Sequence, residues 1–124
     1  MNLQKAKQII AANYGKEENS LCCLLNEECE FSAVAFWEYY DAIAFVTRHS
    51  IRNEELSAQI AIGYQRFLKE LIYHFDPDDV AVMKDFPENY NEYLERLDFA
   101  VRAYYEEKPE WLDDARFDLQ KPKG

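Results

Sequence analysis

Glycine and proline are scarce in this chain, with three and four residues among 124. A β-sandwich or β-barrel needs many tight turns, and such turns depend on these two residues. We therefore predict long helices rather than strands. The chain also lacks the ~20 consecutive apolar residues of a membrane span, and its N-terminal stretch MNLQKAKQIIAANYG has no apolar run long enough for a signal peptide. These absences lead us to expect a cytoplasmic protein.

Cysteine is limited to three residues, Cys22, Cys23 and Cys29, which lie close together in CCLLNEEC. An odd number of crowded cysteines suits free thiols in a reducing compartment better than a disulfide framework. A zinc site would need a fourth ligand and a different spacing. We predict no metal site here and interpret the cysteines as small hydrophobic residues of the interior.

Motifs that carry catalysis are also absent. The sequence has no glycine-rich phosphate loop, no Gly-x-Ser-x-Gly and no His-Glu-x-x-His. Arg66 and His74 are too far apart for the Arg-His pair of HEPN-type ribonucleases, and Glu70 and His74 are one residue too far apart for a ferritin-like carboxylate site. We predict a protein that is not an enzyme, with no catalytic residues and no cofactor.

Apolar residues are plentiful by contrast, at 48% of the chain, although the net charge is −10. A chain of this length and apolar content can bury one core. We predict a single helical domain over residues 1–124, with a frayed C-terminal tail from about residue 117.

The spacing of apolar residues predicts an all-α fold, a compact bundle of four long and two or three short helices. The long helices are expected over Leu3–Tyr14, from Ser32 to about Ser50, from Asn53 to Phe75, and from about Pro87 to Glu106. Short helices are expected after Ser20, from Asp76 to about Met83, and in EWLDDARF. Gly15 stands where a left-handed C-terminal cap would be placed.

The segment AFWEYYDAIAF, residues 35–45, contains five aromatic rings. As a helix it is apolar over most of its circumference, which is typical of a helix at the centre of a bundle. We predict that its rings are mainly core and that Trp37, beside Asp41, is the ring nearest the surface. In the following helix, Gly63 predicts a close approach of a second helix, because glycine otherwise weakens a helix.

Negative charge is concentrated late in the chain. Residues 1–75 have ten acidic and seven basic residues, whereas residues 76–124 have fourteen and seven. Such a field repels nucleic acids and anionic lipids and attracts a basic partner. We therefore expect neither nucleic-acid nor membrane binding.

Tyrosines alternate with carboxylates in DFPENYNEYLERLD and AYYEEKPEWLDD. Tyrosine rings are rigid anchors in protein interfaces, and carboxylates pair with the lysines and arginines of a partner. A solvated acidic face with half-buried tyrosines is the alternative. The candidate partner-binding residues are Asp78, Asp79, Asp85, Glu88, Glu92, Tyr93, Glu95, Tyr105, Glu106 and Glu107.

A short, acidic, tyrosine-rich helical chain with these two segments, AFWEYYDAIAF and AYYEEKPEWLDD, resembles the immunity proteins that bacteria make against their own polymorphic and contact-dependent-inhibition toxins. Tyr104 and Tyr105, before a proline region, are similar to the paired tyrosines of colicin nuclease immunity proteins. The resemblance implies an inhibitor that covers the basic active-site cleft of a nuclease toxin. It transfers no individual residue role to this chain.

Two other functions stay open. One is a small-ligand binder or an enzyme with a pocket among Tyr39, Tyr64, His74 and nearby carboxylates. The other is a subunit of a homo-oligomer that associates through the helix of Trp37. For an inhibitor we expect a monomer or a weak homodimer.

Overall fold

Five α-helices and two 3-10 helices make up the computed structural model, which describes residues 1–78 and 82–123. The α-helices are α1 (Leu3–Tyr14), α2 (Leu21–Glu27), α3 (Ala33–Arg48), α4 (Glu54–His74) and α5 (Tyr90–Glu106). The 3-10 helices are Pro109–Leu112 and Asp114–Arg116. Within the described ranges there is no β-strand, and the all-α class is confirmed.

Polar side chains cap the first four helices at their N-termini. The side-chain oxygens of Asn2, Ser20, Ser32 and Asn53 each accept a hydrogen bond from a main-chain N–H of the first turn. These bonds satisfy donors that have no partner inside the helix, which is why the helices begin where they do. The predicted caps at Ser20, Ser32 and Asn53 are confirmed.

α3 lies in the interior, packed against α1, α2, α5 and the first 3-10 helix. Ten of its sixteen residues are buried, so the prediction of a central helix is confirmed. The exposure expected for Trp37 is wrong, because its side chain is 6% exposed. Its indole packs edge to face against Phe36 and Tyr40, with ring centroids 5.2 and 5.3 Å away.

Gly63 lies at a close approach between helices, as predicted. α4 packs against α1 here, and the Tyr39 hydroxyl of α3 occupies the space where a Cβ of residue 63 would stand. The Gly63 carbonyl also accepts a long hydrogen bond from the Cys22 thiol, at 3.5 Å. A side chain at position 63 would therefore displace a buried ring.

Arg96 of α5 joins the C-terminal segment to the helices. Its side chain is 1% exposed, and it donates hydrogen bonds to the Tyr40 hydroxyl, the Asp114 carboxylate and the Leu119 carbonyl. Lys121 pairs with Asp41 of α3 at 2.8 Å. The segment for which the sequence predicts fraying is thus in contact with the body as far as Lys121.

Other boundaries differ from the expected ones. Gly15 has φ −88°, and Lys16, with φ 52°, takes the left-handed conformation in its place. The last long helix begins at Tyr90 rather than near Pro87. EWLDDARF forms the two 3-10 helices instead of an α-helix. Of the short helix expected from Asp76 to Met83, residues 79–81 lie outside the described residues, and residues 76–78 and 82–83 are not helical.

Candidate functional site

The candidate binding residues lie near both ends of α5. α5 is 17 residues long, which places its two ends about 25 Å apart. Glu88 precedes its N-terminus and Glu92 follows closely, whereas Tyr105, Glu106 and Glu107 lie at its C-terminus. The candidate residues on and next to α5 therefore fall into two groups, one at each end of the helix.

At the C-terminal end of α5 the carboxylates are paired with arginines. Arg102 lies 3.9 Å from Asp98 and 3.8 Å from Glu106, and Arg52 lies 3.8 Å from Glu107. Arg52 also donates hydrogen bonds to the Tyr104 and Tyr105 carbonyls. A cation at a helix C-terminus is favourable, so the negative potential at this end is reduced.

Two tyrosines of the candidate set are engaged within the fold. Tyr93 is half-buried, with its ring centroid 5.1 Å from that of Phe31 and 4.9 Å from that of Phe36. Tyr105 is partly exposed, and its hydroxyl donates to the Ser57 carbonyl. Partial burial raises the pKa of Tyr105. Of the two, only Tyr105 presents much of its ring to solvent.

The carboxylates near the N-terminal end of α5 differ from those at the C-terminal end in their exposure and pairing. Asp78, Asp85, Glu88 and Glu95 are exposed, and none of them belongs to an ion pair formed by the described residues. Glu92 is half-buried and accepts a hydrogen bond from the Asn89 side chain at 2.8 Å. Asp79, the remaining member of the candidate set, lies outside the described residues.

A cluster of three rings brings together the chain segments that carry most of these carboxylates, where α4 ends and α5 begins. Phe75, just after α4, lies 5.7 Å from Phe86 and 4.9 Å from Tyr90 between ring centroids. Two of these rings have an adjacent acid, since Asp76 follows Phe75 and Asp85 precedes Phe86, and Glu88 lies two residues before Tyr90. We call Asp76, Asp78, Asp85, Glu88 and Glu95 the acidic end.

Main-chain hydrogen bonds fix the loop that carries Asp85. The Lys84 N–H donates to the Cys29 carbonyl at 2.7 Å, and the Phe31 N–H donates to the Lys84 carbonyl at 2.9 Å. This short parallel bridge between Glu30 and Lys84 holds the loop against the start of α3. Asp85 therefore has a defined position beside Glu30.

Large apolar side chains are exposed at the same end. Ile72 is 66% exposed and Phe75 is 53% exposed, and Tyr73 and Val82 are exposed as well. Exposed apolar residues rimmed by charges are a common feature of protein-binding surfaces. Ile72 and Tyr73 were not among the predicted binding residues, although a helical wheel places both away from the buried line through Leu71.

The side chains predicted for a small-ligand or catalytic pocket are not all close together. Tyr64 and His74 are ten residues apart on α4, or about 15 Å, and Tyr39 is fully buried beneath Gly63. Tyr64 donates to Asp98 at 2.8 Å, and burial, followed by this bond, raises the pKa of Tyr64. Within residues 1–78 and 82–123, no group of three or more His, Cys, Asp or Glu is arranged to hold a metal ion.

No protein-family model matches the chain, and neither the curated proteins nor the solved structures contain a significant match. No helix in the described part of the chain has both the length and the apolar character that crossing a bilayer requires.

Proposed function

We propose that the protein is an inhibitor that binds a basic protein through its acidic end, in the manner of an immunity protein that neutralises a bacterial nuclease toxin. The observation that supports this proposal best is the combination of exposed carboxylates with exposed apolar side chains at one end. Ile72, Tyr73 and Phe75 offer apolar anchors there, and Asp85 and Glu88 offer charges for a basic partner.

The distribution of ion pairs favours the N-terminal end of α5 over the C-terminal end. Glu106 and Glu107 lie near arginines of the same chain, so a partner must compete with those arginines. Asp85, Glu88 and Glu95 have no such competitor among the described residues. Their charges are therefore available to a partner, and attraction at long range raises the rate of association.

The remaining properties of the proposal follow from charge and thiol chemistry. A net charge of −10 opposes nucleic-acid and membrane binding. The same charge opposes close self-association, so we propose a monomer or a weak homodimer. Free cysteines at positions 22, 23 and 29 suit the reducing cytoplasm.

Affinity capture with a matched pair of variants tests this proposal. The variant Asp85→Asn/Glu88→Gln/Glu95→Gln, the N-end variant, removes three charges from the acidic end. The variant Glu106→Gln/Glu107→Gln/Glu110→Gln, the C-end variant, removes three charges from the far end of α5. We expect the wild type and the C-end variant to capture the same basic protein, and the N-end variant to bind it at least tenfold more weakly.

The captured protein must also be inhibited. Expressed alone it should be toxic, and co-expression of this chain should restore growth, because an inhibitor covers the toxic site. Binding should weaken as salt is raised from 0.05 to about 0.5 M, since salt screens exposed charges. Equal loss of binding by both variants, binding that is indifferent to salt, or a captured protein that is not toxic would each contradict the proposal.

A further inference from the structure

A groove of about 370 Å³ runs along the N-terminal half of α3. It is lined by Ala33, Val34, Trp37, Glu38 and Asp41 of α3, and by Lys121 and Pro122 of the C-terminal segment. Glu38 and Asp41 are three residues apart and therefore neighbours on the helix surface. Val34 is 72% exposed. The groove thus presents two carboxylates next to an exposed apolar side chain.

A cation of the same chain already lies in this groove. The Lys121 ammonium is 2.8 Å from the Asp41 carboxylate. Both side chains are partly exposed, 53% for Lys121 and 31% for Asp41, and ion pairs of this kind contribute little to stability. The Asp41 carboxylate is therefore a cation site whose present occupant is held weakly.

The point at which the C-terminal segment is anchored lies before Lys121. Arg96 donates two hydrogen bonds to the Leu119 carbonyl, at 2.9 and 2.7 Å, from a buried position. Gln120 is also held, because its side chain donates to the Asp114 and Phe117 carbonyls. Residues after Gln120 can leave the groove without breaking these bonds. Displacement of Lys121 costs one exposed ion pair and leaves the core intact.

Trp37 provides a second indication of a ligand. Its side chain is 94% buried and lines the groove, and its indole Nε1 has no hydrogen-bond acceptor among the described residues. A buried donor without an acceptor is unfavourable. An acceptor atom of a ligand that reached Nε1 would remove this cost.

The groove continues towards the acidic end. A neighbouring groove shares Ala33 and Val34 with it and is lined further by Glu30, Asp85 and Tyr93. The positive end of the α3 dipole lies near Ala33, so a cation is favoured further along α3, beside Glu38 and Asp41. A basic segment can thus lie across both grooves with one cationic side chain at Asp41.

We propose that a lysine or arginine side chain of the basic partner replaces Lys121 in this groove, an inference that rests on the proposed function. Its charged group binds Asp41 and Glu38, and its aliphatic part lies over Val34 and Trp37. Lys121 is then an internal competitor, which lowers the affinity of the free protein for cationic segments.

Titration with a capped hexa-arginine peptide tests the proposal. The Trp111→Phe background leaves Trp37 as the only tryptophan, so its fluorescence reports on the groove. We expect Lys121→Ala to tighten peptide binding about threefold relative to Lys123→Ala, which removes the same charge two residues further along. We expect Asp41→Asn to weaken binding about threefold relative to Glu106→Gln, another partly exposed carboxylate that lies near a cation of the same chain.

Three outcomes would each overturn the groove proposal. Equal affinities of Lys121→Ala and Lys123→Ala would show that Lys121 does not compete. Equal weakening by Asp41→Asn and Glu106→Gln would show attraction to total charge alone, which leaves the proposed function standing. Absence of peptide binding at low salt would also overturn the groove, whereas the proposed function depends separately on the capture experiment.

Discussion

Arg96 is an arginine in a position that hydrophobic side chains usually occupy. Its charge is tolerated because three oxygens surround it, from the Tyr40 hydroxyl, the Asp114 carboxylate and the Leu119 carbonyl. Its guanidinium also lies 4.3 Å from the centroid of the Phe117 ring. One side chain of α5 thereby orders a segment that has little regular structure of its own.

Cys22 allows a prediction of how stability depends on pH. Burial raises the pKa of this thiol from 9.0 to about 12. The unfolded chain therefore loses the thiol proton more readily than the folded one above pH 9, so the contribution is fully present below pH 9 and is lost as pH rises towards 12. We expect the free energy of unfolding to fall by up to about 1.4 kcal/mol per pH unit in this range on account of this thiol.

Urea unfolding of the wild type and of Cys22→Ala, at pH 8.5 and at pH 10, measures this effect. The variant should lose less stability between the two pH values, whatever its stability at pH 8.5. Identical losses in the two proteins would mean that the Cys22 thiol ionises as easily in the folded state as in the unfolded one.

At the scale of elements, the fit of α4 against Tyr39 of α3 depends on Gly63. Gly63→Ala should gain about 1 kcal/mol in helix propensity but lose more through collision with the buried Tyr39 hydroxyl. We expect a net loss of about 1–2 kcal/mol. Gly15→Ala is the matched control, because Gly15 has φ −88° and a Cβ there would make only ordinary contacts, 3.5 Å from the Ala11 carbonyl oxygen and 3.6 Å from Glu17 Cγ. Its effect should stay within about 0.5 kcal/mol.

A double-mutant cycle with Tyr39→Phe identifies the cause. The Tyr39 hydroxyl is buried and has no hydrogen-bond partner in the described part of the chain, so its removal should not destabilise the protein by itself. In the Tyr39→Phe background, Gly63→Ala should be tolerated better than in the wild type, as unfolding free energies would reveal. Additive effects would exclude the collision as the reason.

Local chemistry made much of the helical framework predictable. Ser20, Ser32 and Asn53 bond to main-chain donors only a few residues away, so their role depends on neighbouring residues alone. The burial of Trp37 could not be predicted from neighbouring residues in this way. Its burial comes from Phe36 and Tyr40 together with α5 residues such as Arg96, whose approach the sequence of α3 does not reveal.

The candidate site was less predictable than the helices. Charge along the chain located acids after residue 75, but it did not show that Arg52 approaches Glu107 from the start of α4. Nor did it show the exposure of Ile72 and Phe75, because that depends on where α4 ends relative to its neighbours. Pairing and exposure are tertiary properties, and they determine which end of α5 remains strongly acidic.

For the whole molecule, the acidic end should reduce the stability of the unbound protein. Residues 76–95 contain seven acidic residues and one basic residue, and crowded like charges repel one another. We expect the N-end variant to be about 0.5–1 kcal/mol more stable than the wild type at low salt. The difference should shrink at about 0.5 M salt, because screening weakens the repulsion.

Urea unfolding at the two salt concentrations measures this difference. The C-end variant is its control, since it removes the same charge where Arg52 and Arg102 lie near carboxylates. It should gain no stability, and it should lose a little at low salt. A gain of equal size in both variants would indicate that net charge, and not its placement, limits stability.

The bridge between Glu30 and Lys84 has a consequence for how this surface can diversify. Both hydrogen bonds of the bridge use main-chain atoms, which every amino acid except proline supplies in full. Substitutions of Val82 or Lys84 therefore alter what the loop displays without altering where the backbone runs. Descendants of such a chain can acquire new binding preferences one side chain at a time while the supporting architecture stays the same.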